Sequence, residues 1–117
     1  MNGVCAFLSS VRDRTLNLGE AMKGVSWNGG SIRNVLSQVR TRTGARISRT
    51  FQTNTLNTAR NEQFFVVFRG SNPAKSDHVL IGITKNGKSR LYDPQSGQRW
   101  ANPKDFGNFT AWPLIFP

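Results

Sequence analysis

The chain has 117 residues and a mass of 13.0 kDa, enough for one hydrophobic core and too little for two. Its hydrophobic content of 37% favours a packed globule over a disordered chain, and no apolar run reaches the roughly 18 residues of a membrane span. A single cysteine excludes an internal disulfide and a cysteine-rich zinc site. With one histidine and six acidic residues besides, we expect neither a metal centre nor another cofactor.

The charge is strongly positive and unevenly distributed. Sixteen Lys and Arg face six Asp and Glu, a formal net charge of +10. No acid occurs between Glu20 and Glu62, whereas seven basic residues do: Lys23, Arg33, Arg40, Arg42, Arg46, Arg49 and Arg60. This basic stretch either keeps the surface solvated or forms the electrostatic footprint of an acidic partner, which could be a nucleic acid or a protein.

The first half of the chain predicts two helices. The first covers residues 5–16 and ends at Gly19, since glycine is the usual residue just past a helix C-terminus. The second begins after Ser31 as its N-cap and ends near Thr43 and Gly44. Apolar residues recur along it at helical spacing, at Ile32, Val35, Leu36 and Val39.

The second half predicts strands. Residues 63–69 are almost continuously apolar, β-branched or aromatic, which is typical of a buried central strand. Residues 110–116 predict a last strand at the sheet edge, where Pro113 is tolerated. Smaller elements are a short strand at 45–48, a polar loop at 50–61 with one helical turn near 56–60, a sheet extension at 98–100 and a helical turn at 102–106.

Residues 77–95 predict a β-hairpin. Apolar residues at 79, 81 and 83 alternate with smaller or more polar ones, the pattern of a half-buried strand. Asn86 and Gly87 follow, and Asn-Gly between two such runs favours a two-residue type I′ turn. With these as the loop residues, Lys85 faces Lys88, Leu80 faces Asp93 and His78 faces Gln95.

This register places His78, Asp93 and Gln95 on one face, opposite a face of Val79, Ile81, Ile83 and Tyr92 that we expect in the core. His78 and Asp93 form a diagonal pair about 7–8 Å apart at the backbone, within reach of their side chains. The only histidine is therefore predicted beside a carboxylate, on a face not needed for packing.

Cys5 is the second residue of chemical interest. It opens the first predicted helix, and a helix N-terminus stabilises a thiolate. Cys, His and an acid in this chain order match a papain-type nucleophilic set. Each residue has a plainer interpretation as well: Cys5 as a buried small hydrophobe, His78 as a structural histidine, and Asp93 as a turn residue before Pro94.

Three short segments resemble a known family. Asn2-x-x-Cys5, His78 at the start of an apolar strand, and the run Tyr92-Asp93-Pro94-Gln95-Ser96-Gly97 are similar to the papain-fold toxin domains of bacterial polymorphic and contact-dependent toxins. Their order and spacing also resemble papain-like glutamine deamidases among bacterial effectors. The resemblance implies an α+β, papain-like fold in which an N-terminal helix carrying Cys5 packs on a small antiparallel sheet carrying His78 and Asp93.

The residue types indicate a mechanism of nucleophilic catalysis. Asp93 holds the imidazole of His78, His78 takes the proton of Cys5, and the thiolate attacks a carbonyl carbon. The backbone N–H of Cys5 and the side chain of Asn2 are candidate oxyanion donors, and Gln95 is a candidate orienting or substrate-contacting residue. Ammonia leaving from a glutamine gives deamidation, whereas an amine leaving from a peptide bond gives proteolysis. The resemblance favours deamidation.

Two other functions remain open at this point. A small basic toxin could be a ribonuclease that acts on tRNA or another structured RNA, with His78 as its base and the basic stretch binding phosphate. A nucleic-acid-binding module without catalysis would leave His78 and Asp93 unexplained.

The resemblance also implies a biological setting. It predicts that residues 1–117 form a single toxin domain, the C-terminal piece of a longer secreted polypeptide, delivered from a bacterium into the cytoplasm of a target cell. The expected partners are a protein substrate and a cognate acidic immunity protein, with RNA as an alternative, for a chain that is monomeric and not inserted in the membrane.

Overall fold

The fold is α+β, with one antiparallel sheet, as predicted. The computed structural model describes residues 18–20, 22, 32–73 and 78–116. Its main helix is α1 (Ile32–Thr43), and a 3-10 helix spans Pro103–Asp105. The strands are β1 (Arg46–Ile47), β2 (Gln52–Thr53), β3 (Glu62–Arg69), β4 (Val79–Lys85), β5 (Lys88–Tyr92), β6 (Arg99–Trp100) and β7 (Phe109–Ile115).

The sheet is centred on β3, which matches the prediction of a buried central strand. The strand order is β1-β7-β3-β4-β5-β6, and all pairings are antiparallel. The short strand β2 pairs with β7 on the same edge as β1. Every residue from Gln63 to Phe68 is buried, so β3 packs on both faces.

The last strand is not at the sheet edge, so that prediction was wrong. β7 lies between β3 on one side and β1 and β2 on the other. The carbonyl of Pro113 accepts the N–H of Ser48, on the side of β7 away from β3. The nitrogen and the carbonyl of one strand residue point to the same side, so the nitrogen of Pro113 also points away from β3 and its missing N–H costs no bond to that strand. β1 pairs with Leu114 and Ile115 and β2 with Thr110 and Ala111, which leaves the nitrogen of Pro113 between them.

The predicted hairpin is present, and its register is as predicted up to the pair Ile81–Tyr92. The prediction that His78 faces Gln95 was wrong, because the strand ends at Tyr92 and the chain turns at residues 94–96, closed by the bond from the Gly97 N–H to the carbonyl of Asp93. Lys85 pairs with Lys88, and the pairing continues to Ile81 and Tyr92. Asn86 and Gly87 have φ angles of 51° and 81°, as a type I′ turn requires.

The sheet has a hydrophobic core on each face, which the sequence reading missed. On the helix side, α1 packs through Val35 and Val39 onto alternate residues of β3 and β4. On the other side, Leu56 packs onto a cluster of sheet residues that includes Leu80 and Leu91, and Phe106 packs against the same cluster. The prediction of a half-buried β4 was therefore wrong, because the loop before β3 folds over the second face and buries Leu80 completely.

One of the two predicted helix ends is confirmed and the other is wrong. α1 stops at Thr43 as predicted, with Gly44 at φ +73° donating its N–H to the carbonyl of Arg40. The chain is helical at residues 18–20 and 22, so Gly19 does not end a helix as predicted. Instead, Leu18 and Met22 are buried one turn apart, and a Cβ on Gly19 would lie 2.9 Å from the Tyr92 ring.

The polar loop at 50–61 contains β2 but no helical turn at 56–60, contrary to prediction. The Gln52 side chain both donates to the carbonyl of Asn57 and accepts its N–H, which ties the two ends of this part of the loop together. The predicted extension at 98–100 and turn at 102–106 are present, the latter capped by Asn102. No helix in the described ranges is long and apolar enough to cross a membrane.

Candidate active site

The site is built on the open end of the β4–β5 hairpin. His78 directly precedes β4 and Asp93 directly follows β5, so the register brings them together as a diagonal pair. The distance between His78 Nε2 and Asp93 Oδ2 is 2.8 Å. The contact predicted from the Asn86–Gly87 turn is thus present, and it closes the open end of the hairpin.

A tight turn after β5 holds the carboxylate of Asp93. Oδ1 accepts the backbone N–H of Gln95 at 2.9 Å and that of Ser96 at 3.4 Å. The Asp93 backbone is fixed as well, because its N–H donates to Gln98 and its carbonyl accepts from Gly97. Asp93 is therefore both a turn residue and the partner of His78, whereas the sequence reading treated these as alternatives.

The backbone of His78 is anchored from the central strand. The N–H of Arg69, at the end of β3, donates to the carbonyl of His78 at 3.4 Å. Tyr92 and Val79, the neighbours of Asp93 and His78, belong to the helix-side core, so packing also fixes the strand ends. Sequence reasoning missed the role of Arg69 because a backbone contact leaves no signal in residue type.

Hydrogen bonds keep the Asp93 carboxylate ionised. Burial is the largest single influence and raises its pKa, but the bonds from His78, the Gln95 N–H and Ser96 together outweigh it and lower the pKa below its ordinary value. An ionised carboxylate only accepts hydrogen bonds, so His78 Nε2–H is the donor in the pair. In the neutral ring the lone pair is then on Nδ1, which is the nitrogen able to take a proton.

The pair is less open than predicted. Asp93 is buried, with 6% of its surface exposed, and the His78 side chain is 18% exposed. The face that they share is not spare surface, because Leu80 and Leu91 on it are buried in the second core. His78 and Asp93 lie at the end of that core, and the His78 ring keeps only part of its surface exposed.

The lowered pKa of Asp93 predicts a pH dependence of stability. Because the pKa is lower in the folded than in the unfolded chain, the carboxylate contributes stability above the unfolded value of about 3.9, and the contribution is lost as the pH falls through the folded value. Urea unfolding should therefore show a larger difference in unfolding free energy between wild type and Asp93→Asn at neutral pH than in strong acid. Asp105→Asn removes an exposed carboxylate and is the matched control. A difference in unfolding free energy that does not change with pH would contradict the lowered pKa of Asp93.

The remaining predicted site residues divide into two groups. Cys5, Asn2 and Lys23 lie outside the described residues. Gln95 is exposed, and what it contributes to the described site is its backbone N–H to Asp93. Its side chain as an orienting group stays a prediction.

The other members of the basic stretch are all exposed, on the helix and on the loops around the sheet. Arg33, Arg40 and Arg42 lie on α1, and Arg46 lies on β1. Arg49 lies between β1 and β2, and Arg60 shortly before β3. These residues form no part of the His78–Asp93 pair, so any role in binding would be separate from proton transfer.

Comparison with family models, with curated proteins and with solved structures found no match. Within the described residues there is also no group of three or more His, Cys, Asp and Glu side chains arranged to hold a metal ion. The chemistry of the site must therefore be inferred from its geometry and from the residue types in the chain.

Proposed function

We propose that this chain is a toxin domain with a Cys5–His78–Asp93 thiol-hydrolase site that deamidates glutamine in a target protein. The observation that supports the proposal is the 2.8 Å contact between His78 Nε2 and Asp93 Oδ2. It gives the only histidine of the chain an ionised carboxylate partner and leaves Nδ1 as the basic nitrogen. Such a histidine is the base that a nucleophilic cysteine needs.

The proposed reaction proceeds in two steps. Nδ1 of His78 takes the Cys5 proton, and the thiolate attacks the carboxamide carbon to form a tetrahedral oxyanion, held by the Cys5 N–H and Asn2. The oxyanion collapses to a thioester as His78 protonates the departing ammonia. Water then loses a proton to His78 and attacks the thioester, which releases glutamate and restores the thiol. The net change is glutamine plus water to glutamate plus ammonia.

The first described residues pack at the same end of the hairpin as the pair, on the other face of the sheet. Leu18 and Met22 lie in the helix-side core with Val79 and Tyr92, the residues beside His78 and Asp93. A Cβ on Gly19 would contact Tyr92 and Pro94, which flank Asp93. The proposed site therefore requires Cys5 to reach the face of His78 and Asp93 around the strand ends.

Two competing activities use overlapping residues. A peptide-bond hydrolase would use the same three side chains and release an amine in place of ammonia. A ribonuclease would use His78 without Cys5, with the exposed arginines of the basic stretch holding phosphate. The same stretch could instead bind an acidic immunity protein, as the resemblance implies.

Mass spectrometry and RNA gels on the same treated lysate separate these activities. Purified wild-type protein is added to a bacterial lysate, with Cys5→Ser as the isosteric control. Deamidation predicts conversion of specific glutamines to glutamate that is absent with Cys5→Ser. New peptide termini would indicate a protease. RNA cleavage that persists with Cys5→Ser would contradict the thiol mechanism and establish the ribonuclease.

A further inference from the structure

The side chain of Arg69 lies beside that of His78 on one face of the sheet. The pairing of β3 with β4 runs up to Phe68 and Val79, and the next pair is Arg69 with His78, joined by the bond from the Arg69 N–H to the His78 carbonyl. Side chains of directly opposed residues share a face, with their Cβ atoms about 4.5–5.5 Å apart. Strand alternation makes this the face of Leu80 and of the second core.

Phe106 directs the Arg69 side chain across the strand of His78. Arg69 Cζ lies 5.6 Å from the centre of the Phe106 ring, and the same ring packs edge to face against Trp100 at a centroid distance of 4.9 Å. Arg69 ends β3 and Trp100 belongs to β6, with β4 and β5 between them. These outer two strands are about 14 Å apart, so Phe106 lies over the strands between them and Arg69 extends toward His78 and Asp93.

The positive charge of Arg69 has no acidic partner in the described part of the chain. The side chain is exposed, and the ion pairs among the described residues are His78 with Asp93 and Lys85 with Glu62. The Asp93 carboxylate is engaged by His78 and by two backbone N–H groups. A guanidinium is a planar fork that binds a carboxylate through two parallel hydrogen bonds, so Arg69 is suited to a carboxylate from outside the chain.

This position fits a single carboxylate better than a nucleic acid. The ionised Asp93 lies next to His78, so the charge of Arg69 is partly offset and suits one negative charge. A nucleic acid is held by several cations along its phosphates and by aromatic rings that stack on its bases. The rings nearest Arg69 are those of Phe106 and Trp100, and they pack on each other and against the second core.

We propose that Arg69 is a binding subsite for an Asp or Glu side chain of a protein segment that lies across His78. The carboxylate accepts two hydrogen bonds from the guanidinium, and the residue next to it in the segment lies at the His78 ring. Binding does not depend on the proposed hydrolase reaction, so either proposal can fail without the other. Combined with that reaction, the subsite would select glutamines that have an acidic neighbour.

NMR spectroscopy of the His78 ring measures binding at this position, because His78 is the only histidine of the chain. The probes are the peptide acetyl-Ala-Gln-Glu-Ala-amide and its neutral counterpart acetyl-Ala-Gln-Gln-Ala-amide. Both are titrated into the Cys5→Ser chain, which cannot convert a glutamine by the proposed route. The acidic peptide should shift the His78 signals with a Kd at least about tenfold lower than that of the neutral peptide, the effect of one charged hydrogen-bonded contact.

Variants of the same chain assign the effect to Arg69. Arg69→Gln should raise the Kd of the acidic peptide to that of the neutral one, and Arg69→Lys should weaken binding less, because lysine keeps the charge without the fork. Arg99→Gln is the matched control: Arg99 is also exposed and lies 5.4 Å from the centre of an aromatic ring, that of Tyr92, on the helix-side face. It should leave Kd within about twofold.

Three results would overturn the proposal. They are equal Kd values for the two peptides, no shift of the His78 signals by the acidic peptide, and equal weakening by Arg69→Gln and Arg99→Gln. Uridine monophosphate is the competing probe. Tighter binding of this nucleotide than of the acidic peptide, lost in Arg69→Gln, would show a phosphate subsite instead. Circular dichroism of Arg69→Gln should match the wild type, since the residue is exposed at a strand end.

Discussion

Replacing Cys5 or His78 with Ala is expected to abolish the activity of this chain. Each change should reduce glutamine conversion in the lysate assay by a factor of roughly 10³ or more, because nucleophile and base act as one unit. Expression of either variant in bacterial cytoplasm should allow normal growth where the wild type stops it. His78 is only partly buried, so its loss should leave the fold intact by circular dichroism.

Asp93→Asn is expected to lose less activity than His78→Ala. An amide oxygen can still accept the His78 Nε2–H and hold the ring, although it no longer stabilises the charged imidazole. Asn108→Ala, at an exposed position, is the control for general effects of substitution. Full toxicity of a folded Cys5→Ala protein would exclude the thiol mechanism.

The two cores on either side of β3 predict that substitutions on both faces of this strand destabilise the chain. Phe65 and Phe68 are completely buried, and they belong to opposite cores. Each change to Ala should cost about 3–5 kcal/mol of unfolding free energy, a large part of the roughly 5–15 kcal/mol of a typical domain. Denaturant unfolding, monitored by tryptophan fluorescence, measures the unfolding free energy of both variants.

Phe51→Ala supplies the matched control for this experiment. Phe51 is 42% exposed, and its ring lies at a centroid distance of 5.0 Å from the ring of Trp112 on β7. Its loss should cost no more than about 1.5 kcal/mol. A similarly small cost for Phe65→Ala would mean that the second face of the sheet is not a true core.

The hairpin could be predicted in detail because its determinants are local. Asn86 and Gly87 adopt the positive φ angles that fix a two-residue loop, and the loop alone then sets every pairing along β4 and β5. The contact of His78 with Asp93 follows from that register. The αL cap at Gly44 and the capped turn at Pro103 were predictable for the same reason.

Long-range packing could not be predicted in this way. Pro113 indicated an edge strand, but β1 and β2 meet β7 on either side of it and so avoid its missing N–H. Leu80 looked like the polar-facing side of β4 until Leu56, distant in sequence, covered it. Gly19 resembled a helix end, whereas its lack of a side chain makes room for the ring of Tyr92.

In the candidate site, too, the local contacts could be predicted and the long-range ones could not. The pairing of His78 and Asp93 is encoded by one hairpin, and the Asp-Pro-Gln-Ser run encodes the turn that orients the carboxylate. The anchoring of His78 by Arg69 depends on the meeting of β3 and β4, for which residue types gave no signal. The proposed pairing of Cys5 with His78 would join distant parts of the chain, and it rests on residue type and chain order.

Alkylation of Cys5 by iodoacetamide across pH tests the proposed pairing most directly, because Cys5 is the only thiol of the chain. Pairing with His78 predicts that the native protein reacts near neutral pH faster than a free thiol, whose pKa is about 8.5. His78→Ala should slow the reaction to the rate of the free thiol, while Asn108→Ala should leave it unchanged. A native Cys5 that does not react, or one that reacts equally fast with and without His78, would contradict the proposed Cys5–His78–Asp93 site.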